Sequence, residues 1–168
     1  MIRLFHRLAR NSSGAAAAEM ALVTPLLLII MFGSVELGNY FMNEHSLVKA
    51  VRDGARFAAR QSFTSYPDCS TVGTSAQDAT KNVVMYGYLS GSAVLTPNIT
   101  TSDITVSTSC AASAGGQSML GIYRGRATGA QVVTVSATVA YRSVLGSFGF
   151  SGASINLNAS SQAAVQGI

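Results

Sequence analysis

Between Gly14 and Val35 the chain reads GAAAAEMALVTPLLLIIMFGSV, and after Gly14 it runs 21 residues with one charge, Glu19, and one proline, Pro25. At about 1.5 Å per residue such a helix measures roughly 31 Å, the thickness of a bilayer's hydrocarbon core. That length without further charge is too great for the buried helix of a soluble domain. A secretory signal peptide does not fit either. Its small-residue cleavage site follows an apolar run of about 7–15 residues, whereas here Ala15 to Ala18 precede the run and the run is longer. An ordinary signal anchor fits the length but gains nothing from Glu19. A carboxylate in a membrane helix costs on the order of 2.5–3.5 kcal/mol at the centre, less towards the interface, and therefore calls for a partner.

Cleavage between Gly14 and Ala15 would supply that partner, because Ala15 then carries a new cationic α-amine and Glu19 becomes the fifth residue of the mature chain. A basic leader, a glycine, a glutamate five residues on and a long apolar helix resemble a type IV prepilin. The longer pattern, with Pro25, Glu-Leu-Gly at 36–38 and Arg-Asp-Gly-Ala-Arg at 52–56, resembles the TadE-like family, minor pilins or pseudopilins of the Tad (Flp) pilus system. Met20 departs from the aromatic residue such proteins often carry. The resemblance implies a substrate of a prepilin peptidase, cut at Gly14–Ala15, whose partners are other pilus subunits and the Tad assembly platform. It further implies that a helix able to straighten or unwind near Pro25 helps the subunit leave the bilayer for a filament. Packing of neighbouring helices at Gly33 and Gly38 is an equally good account of those small residues.

Composition bears on the remainder. Only 11% of the residues are charged, and the formal net charge is +4. Arg3, Arg7 and Arg10 all lie in the leader, so without them the balance falls to +1. Nucleic acid is thereby excluded as a partner. The three leader arginines also set the orientation: the N-terminus stays cytoplasmic and the rest is exported. The expected location is the inner membrane, single-pass, with a periplasmic head that is available to an extracellular pilus. Cys69 and Cys110 both follow the membrane segment. As two lone thiols they could be buried or half of a metal site, but no histidine follows His45. In an oxidising compartment they pair, and closing a loop of about 40 residues contributes roughly 4 kcal/mol.

The expected organisation is a leader over residues 1–14, a transmembrane helix over 15–35, an amphipathic extension over 36–62 and an exported head over 63–168. Pro25 removes a backbone donor and predicts a kink near Thr24. In the extension, Leu37, Tyr40, Val48, Val51, Ala55 and Ala58 fall on one face, with Glu44 central on it. Lys49, Arg52, Arg56 and Arg60 fall on another. Such a basic stripe is usually solvated; Arg52 and Arg56 are candidates for contact with an acidic neighbouring subunit. Residues 63–74 predict a polar loop broken by Pro67, and 75–89 a short helix beginning at a capping Ser75. Ile104 and Val106 alternate into a strand that ends at Cys110. Residues 111–129 predict a long exposed loop in which Arg124 and Arg126 serve solubility. Val133, Val135, Ala137, Val139 and Tyr141 line one face of the best strand, and Ile155, Leu157 and Ala159 alternate into a last one. The fold class is α+β and pilin-like: a long kinked N-terminal helix, then a small antiparallel-sheet head.

Catalytic chemistry is not expected. The head has no histidine for a triad, and Asp68, Asp78 and Asp103 are scattered. No zinc spacing, EF-hand loop or phosphate-binding loop is present, so neither metal nor cofactor is expected. The function implied is assembly: a minor pilin or pseudopilin that aids pilus biogenesis and adhesion. Two rivals are an uncleaved, bilayer-anchored envelope binding protein and a pseudopilin of another secretion system.

Overall fold

A helix of 48 residues, α1 (Ser12–Ala59), is followed by a second helix, α2 (Thr74–Tyr86), and three strands, β1 (Ile104–Ala111), β2 (Ala130–Ala140) and β3 (Asn156–Ala164). The computed structural model describes residues 12–111, 119–124, 126, 129–148 and 155–167. Arg3, Arg7 and Arg10, part of the loop expected at 111–129, and residues 149–154 between the last two strands lie outside the described residues. The architecture is the expected α+β one, a long apolar N-terminal helix and then a three-stranded antiparallel sheet in the order β1-β2-β3. By its contacts the chain divides into two units between Asn39 and Tyr40, and α1 contributes to both.

In the first unit α1 is assigned as helix straight through Pro25. Proline cannot donate to the carbonyl four residues back. One residue earlier, the Thr24 hydroxyl donates to the Met20 carbonyl at 2.6 Å, a local bond that commonly accompanies bending.

The second unit is built on the remainder of α1. Leu47, Ala50, Val51, Ala55, Ala58 and Ala59 are buried there, in one cluster with Ile104 and Val106 of β1, Val133, Val135, Ala137 and Val139 of β2, and Leu157 of β3. The strand registers explain the cluster. Val106 faces Val135 across β1–β2, and Val139 faces Leu157 across β2–β3. With a side-chain period of two, these registers put every second residue of each strand on the helix side. The face of α1 differs in detail from the expected one: Leu47 is its large residue, Val48 is only half-buried, and Leu37 is exposed. Glu44 is half-buried, one turn before Leu47.

α2 begins at Thr74, one residue before the expected start, with Gly73 as an N-cap that makes no side-chain bond. It stops at Tyr86 rather than Leu89, because Gly87 takes a left-handed φ of 76° and its N–H closes onto the Val83 carbonyl. α1 and α2 pack against each other at Gly54. A Cβ there would lie 2.3 Å from Val84 Cγ2.

The C-terminal end of α1 is closed by partners from distant sequence. The Tyr66 hydroxyl donates to the Ala58 carbonyl at 2.6 Å, and the Gln166 N–H donates to the Ala59 carbonyl at 2.7 Å. The Ala58 carbonyl, which also accepts from the Gln61 N–H at 3.1 Å, and the Ala59 carbonyl of the last turn are thus both satisfied. Tyr66 is fully buried, which pushes its hydroxyl pKa up to about 12.

Candidate functional site: the exposed apolar helix and its flanks

In the first unit no described residue covers the apolar helix. Its most apolar 18-residue window is 0% buried, and Leu22, Leu26, Leu27, Ile29, Ile30 and Phe32 are all exposed. By length and composition α1 can cross a membrane. In water such a surface would be unsupportable; in hydrocarbon a helix is one of the two structures that satisfy every backbone group.

Gly14, Ala15 and Glu19 all lie on α1 and are exposed. Glu19 makes no hydrogen bond or ion pair with any described residue. Ala15 and Glu19 stand four residues apart, the spacing that brings two positions onto one helix face. An amine at Ala15 would therefore neighbour the Glu19 carboxylate. A Cβ built on Gly14, Gly33 or Gly38 meets nothing within 4 Å. A glycine inside a helix costs about 1 kcal/mol relative to alanine. Nothing in the described fold requires glycine at these three positions.

The basic stripe of α1 is exposed at Lys49, Arg52, Arg56 and Arg60. Arg56 lies 3.6 Å from Asp53, one turn away, and both are largely exposed. Such a pair contributes little to stability. Arg56 and Arg60 also border a shallow recess with Ala163, Ala164 and Gln166.

Cys69 and Cys110 form a disulfide, with their Cα atoms 5.1 Å apart. It ties the loop after Pro67 to the end of β1. A second tie runs beside it, missed by the sequence reading. Gln131 stands opposite Cys110 in the β1–β2 register and is fully buried. Its side-chain Nε2 donates to the Tyr66 carbonyl at 2.7 Å and to the Asp68 carbonyl at 3.2 Å. The signal was available, since Gln131 is in phase with Val133 and Val135. Asp68 folds the same loop on itself, accepting from the Ser70 and Thr71 backbone N–H groups and hydroxyls. These bonds, led by that of the Ser70 N–H, hold its carboxyl down at about 2.

The solubility reading of Arg126 is corrected. Its guanidinium lies 4.1 Å from the centroid of the Phe63 ring, a cation–π contact. Phe63 also meets the Tyr123 ring edge-on, and the Tyr123 hydroxyl donates to the Val165 carbonyl at 2.7 Å. The segment therefore fastens the chain's C-terminal stretch; Arg124 is exposed. Among the described residues no group of three or more His, Cys, Asp or Glu is placed to hold a metal ion.

An exposed apolar helix with one early carboxylate, glycines without internal purpose and a tied α+β head is the context in which the resemblance noted above can be tested. Residues 14–56 match the family model described as TadE-like protein. The TadE-like segment opens on Gly14, takes in Glu19, Pro25 and Gly54, and closes on Arg56, so it is one continuous length of α1. Over that length the sequence resemblance is borne out, and it points to a protein associated with the Tad pilus. No curated protein and no solved structure matches the chain.

Proposed function

We propose that this protein is a prepilin-like subunit of a Tad-type pilus and secretion machine, cut between Gly14 and Ala15 and held by its apolar helix until it is used in assembly. The observation that supports this best is the conjunction at the start of the TadE-like segment. Gly14 serves no packing purpose within the described fold, and Glu19 lies on an uncovered apolar helix one turn from Ala15. A peptidase that needs close approach to the backbone explains the glycine, and the amine it releases explains the glutamate. The N-terminus faces the cytoplasm, and the head with its disulfide is exported to the periplasm. Within the filament the amine of Ala15 pairs with Glu19 of the same or an adjacent subunit, Pro25 supplies the local weakness needed to leave the bilayer, and Arg52 and Arg56 meet acidic neighbours. Its contribution is to prime or stabilise the pilus, not to catalyse.

The test is the N-terminus of the membrane-extracted protein from cells with an active prepilin peptidase. It should begin at Ala15, and Gly14→Val should leave the leader attached by crowding the approach to the backbone. An intact leader on the wild-type protein would instead support an uncleaved anchored head.

A further inference from the structure

The end of the Tyr40–Ile168 unit at which α1 enters carries apolar side chains that its core does not use. Phe41 and Met42 are 51% and 75% exposed, and with His45, Ser46, Lys49 and Leu95 they line an open cleft of about 510 Å³. Leu95 is itself exposed and belongs to the loop after α2, which also exposes Tyr88, Leu89 and Val94. That loop is held in place. The Leu95 N–H donates to the Met85 carbonyl at 2.8 Å, the Ser46 hydroxyl donates to the Leu95 carbonyl at 3.0 Å, and Asn82 Nδ2 donates to the Leu89 carbonyl at 3.0 Å. The same end receives apolar groups from the sheet. Tyr40 meets Tyr141 edge-on with ring centroids 5.2 Å apart, and the Tyr141 N–H donates to the Ile155 carbonyl at 2.9 Å. Ile155 and, three residues after Tyr141, Val144 are both exposed.

Three features say what covers this surface. Phe41 and Met42 stand six and seven residues, about 10 Å of helix, past the end of the apolar run at Val35, so a bilayer that takes that run ends close to them. No charged residue occurs from Asn82 to Ser102, the stretch that supplies the loop. The exposed cations Lys49 and Arg142 and several tyrosines border the apolar groups, and the one carboxylate lining the cleft, Asp53, is paired with Arg56; such a mixture is typical of the membrane–water interface. Isolated exposed apolar residues need no explanation, whereas a group of them at one end of a domain marks an interaction surface.

We infer that this end of the head is a lipid-facing foot, in which the Leu95 loop and the side chains of Val144 and Ile155 sit in the headgroup zone around the point where α1 leaves the bilayer. The inference rests on the proposed membrane anchoring. In the membrane-bound state the head is therefore seated on the bilayer by three elements, and release into a filament must uncover all of them.

The chain contains no tryptophan, so single tryptophans report cleanly. The full-length protein is reconstituted in phosphatidylcholine–phosphatidylglycerol vesicles as four variants: Leu95→Trp, Ile155→Trp, Ile122→Trp and Phe32→Trp. Ile122 is exposed and adjoins Tyr123, close to the Ala59 end of α1 through the Val165–Gln166 stretch. That end lies about 28 Å along the helix from Tyr40. Lipids brominated near the headgroup should remove a large fraction of the Leu95→Trp and Ile155→Trp emission, blue-shifted beforehand, and leave Ile122→Trp almost unchanged. Lipids brominated deep in the chains should quench Phe32→Trp. If Phe32→Trp is quenched but Leu95→Trp and Ile155→Trp behave as Ile122→Trp does, the head stands clear of the lipid and the inference fails while anchoring survives. A blue shift at Leu95→Trp without lipid quenching means a protein covers the patch, and also overturns it. Loss of quenching at Phe32→Trp removes the anchoring on which both rest. The gel-mobility shift of each variant on reduction confirms that the head has formed.

Discussion

The stretch of α1 up to Asn39 and the stretch from Tyr40 to Ala59 share one helical backbone and differ in everything their side chains meet. In the first, the large apolar residues are exposed and Gly33 and Gly38 face open space. In the second, the buried residues are mostly small, Ala50, Ala55, Ala58 and Ala59 around Leu47 and Val51, and Gly54 lies against Val84. The contrast shows that hydrophobicity and burial are separate quantities within one helix. The more apolar half is left uncovered by the described residues and is long enough to cross a membrane, while the less apolar half is where the domain is assembled. Glycine reads differently in each, with open space around it in one half and with Val84 packed against it in the other.

The strongest way to break that comparison is at Glu19. If the first half is shaped for partners outside the chain, Glu19→Ala should leave processing and membrane insertion unchanged or slightly improved, because a costly charge is removed. Incorporation into pili should be lost, since the amine of Ala15 would be buried without its counter-charge. Glu19→Asp should fall between. The measurement is paired on one mutant: processed protein in the membrane fraction, and co-purification with other pilus subunits. Wild-type assembly by Glu19→Ala would mean that the carboxylate is merely tolerated near the interface.

A smaller effect, confined to the second half, is expected from the disulfide. Cys69→Ser with Cys110→Ser opens a loop of 41 residues, for which chain entropy predicts a loss of about 4 kcal/mol. Gln131 still ties the same loop to the neighbouring strand β2, so the head should still fold, with a lower unfolding midpoint in detergent. Anchoring by the first half should be untouched. Equal midpoints would show that the Gln131 bonds hold the loop alone.

Much of this division was legible beforehand. Length and charge marked the apolar helix, and strict alternation marked β2, because both signals are carried by large side chains in regular register. What escaped has a common physical cause. The buried face of the second half is made mainly of alanine and glycine, which carry little hydropathy signal, so the expected stripe leaned on Leu37 and Val48 instead of Leu47 and Gly54. Likewise Tyr66, Gln131 and Arg126 act through partners 8, 65 and, for the Phe63 stack, more than 60 residues away. No local pattern reports such pairings. At the candidate site the glycine-to-glutamate spacing is a weak signal by itself; Gly14 and Glu19 stand out only with Pro25, Glu-Leu-Gly at 36–38 and Arg-Asp-Gly-Ala-Arg at 52–56 beside them, and their roles belong to the proposal.

The glycines sharpen the comparison next. Gly54→Ala gains helix propensity of about 1 kcal/mol but forces a methyl into Val84, at an overpacking cost of about 1–3 kcal/mol. The net effect should be mildly destabilising. In a Val84→Ala background the same change should become neutral or stabilising, a coupling that a double-mutant cycle reads directly. Gly33→Ala, with open space around it, should leave the head's unfolding midpoint unchanged. Additivity of Gly54→Ala and Val84→Ala would show that the helices do not meet there.

The smallest effect separates the closed end of α1 from its open one. Tyr66 is fully buried, donates to the Ala58 carbonyl, and has its pKa raised from 10.0 to about 12 by burial. A raised folded-state pKa means that the folded chain holds this proton more tightly than the unfolded one. The contribution is complete below pH 10 and is lost as the pH climbs through about 12, so stability should fall in that window. The slope approaches about 1.4 kcal/mol per pH unit for one proton. Other groups titrate there too, so the informative quantity is the difference from Tyr66→Phe. That variant should be less stable at pH 8 by about 0.5–1.5 kcal/mol, because one hydrogen bond is lost while the Gln61 N–H still serves the Ala58 carbonyl, and should show a shallower alkaline decline. Parallel curves for the two proteins, followed by near-ultraviolet circular dichroism in detergent, would mean that Tyr66 ionises as freely in the folded head as in the unfolded chain, and that the end of α1 is open to water as its apolar half is open to lipid.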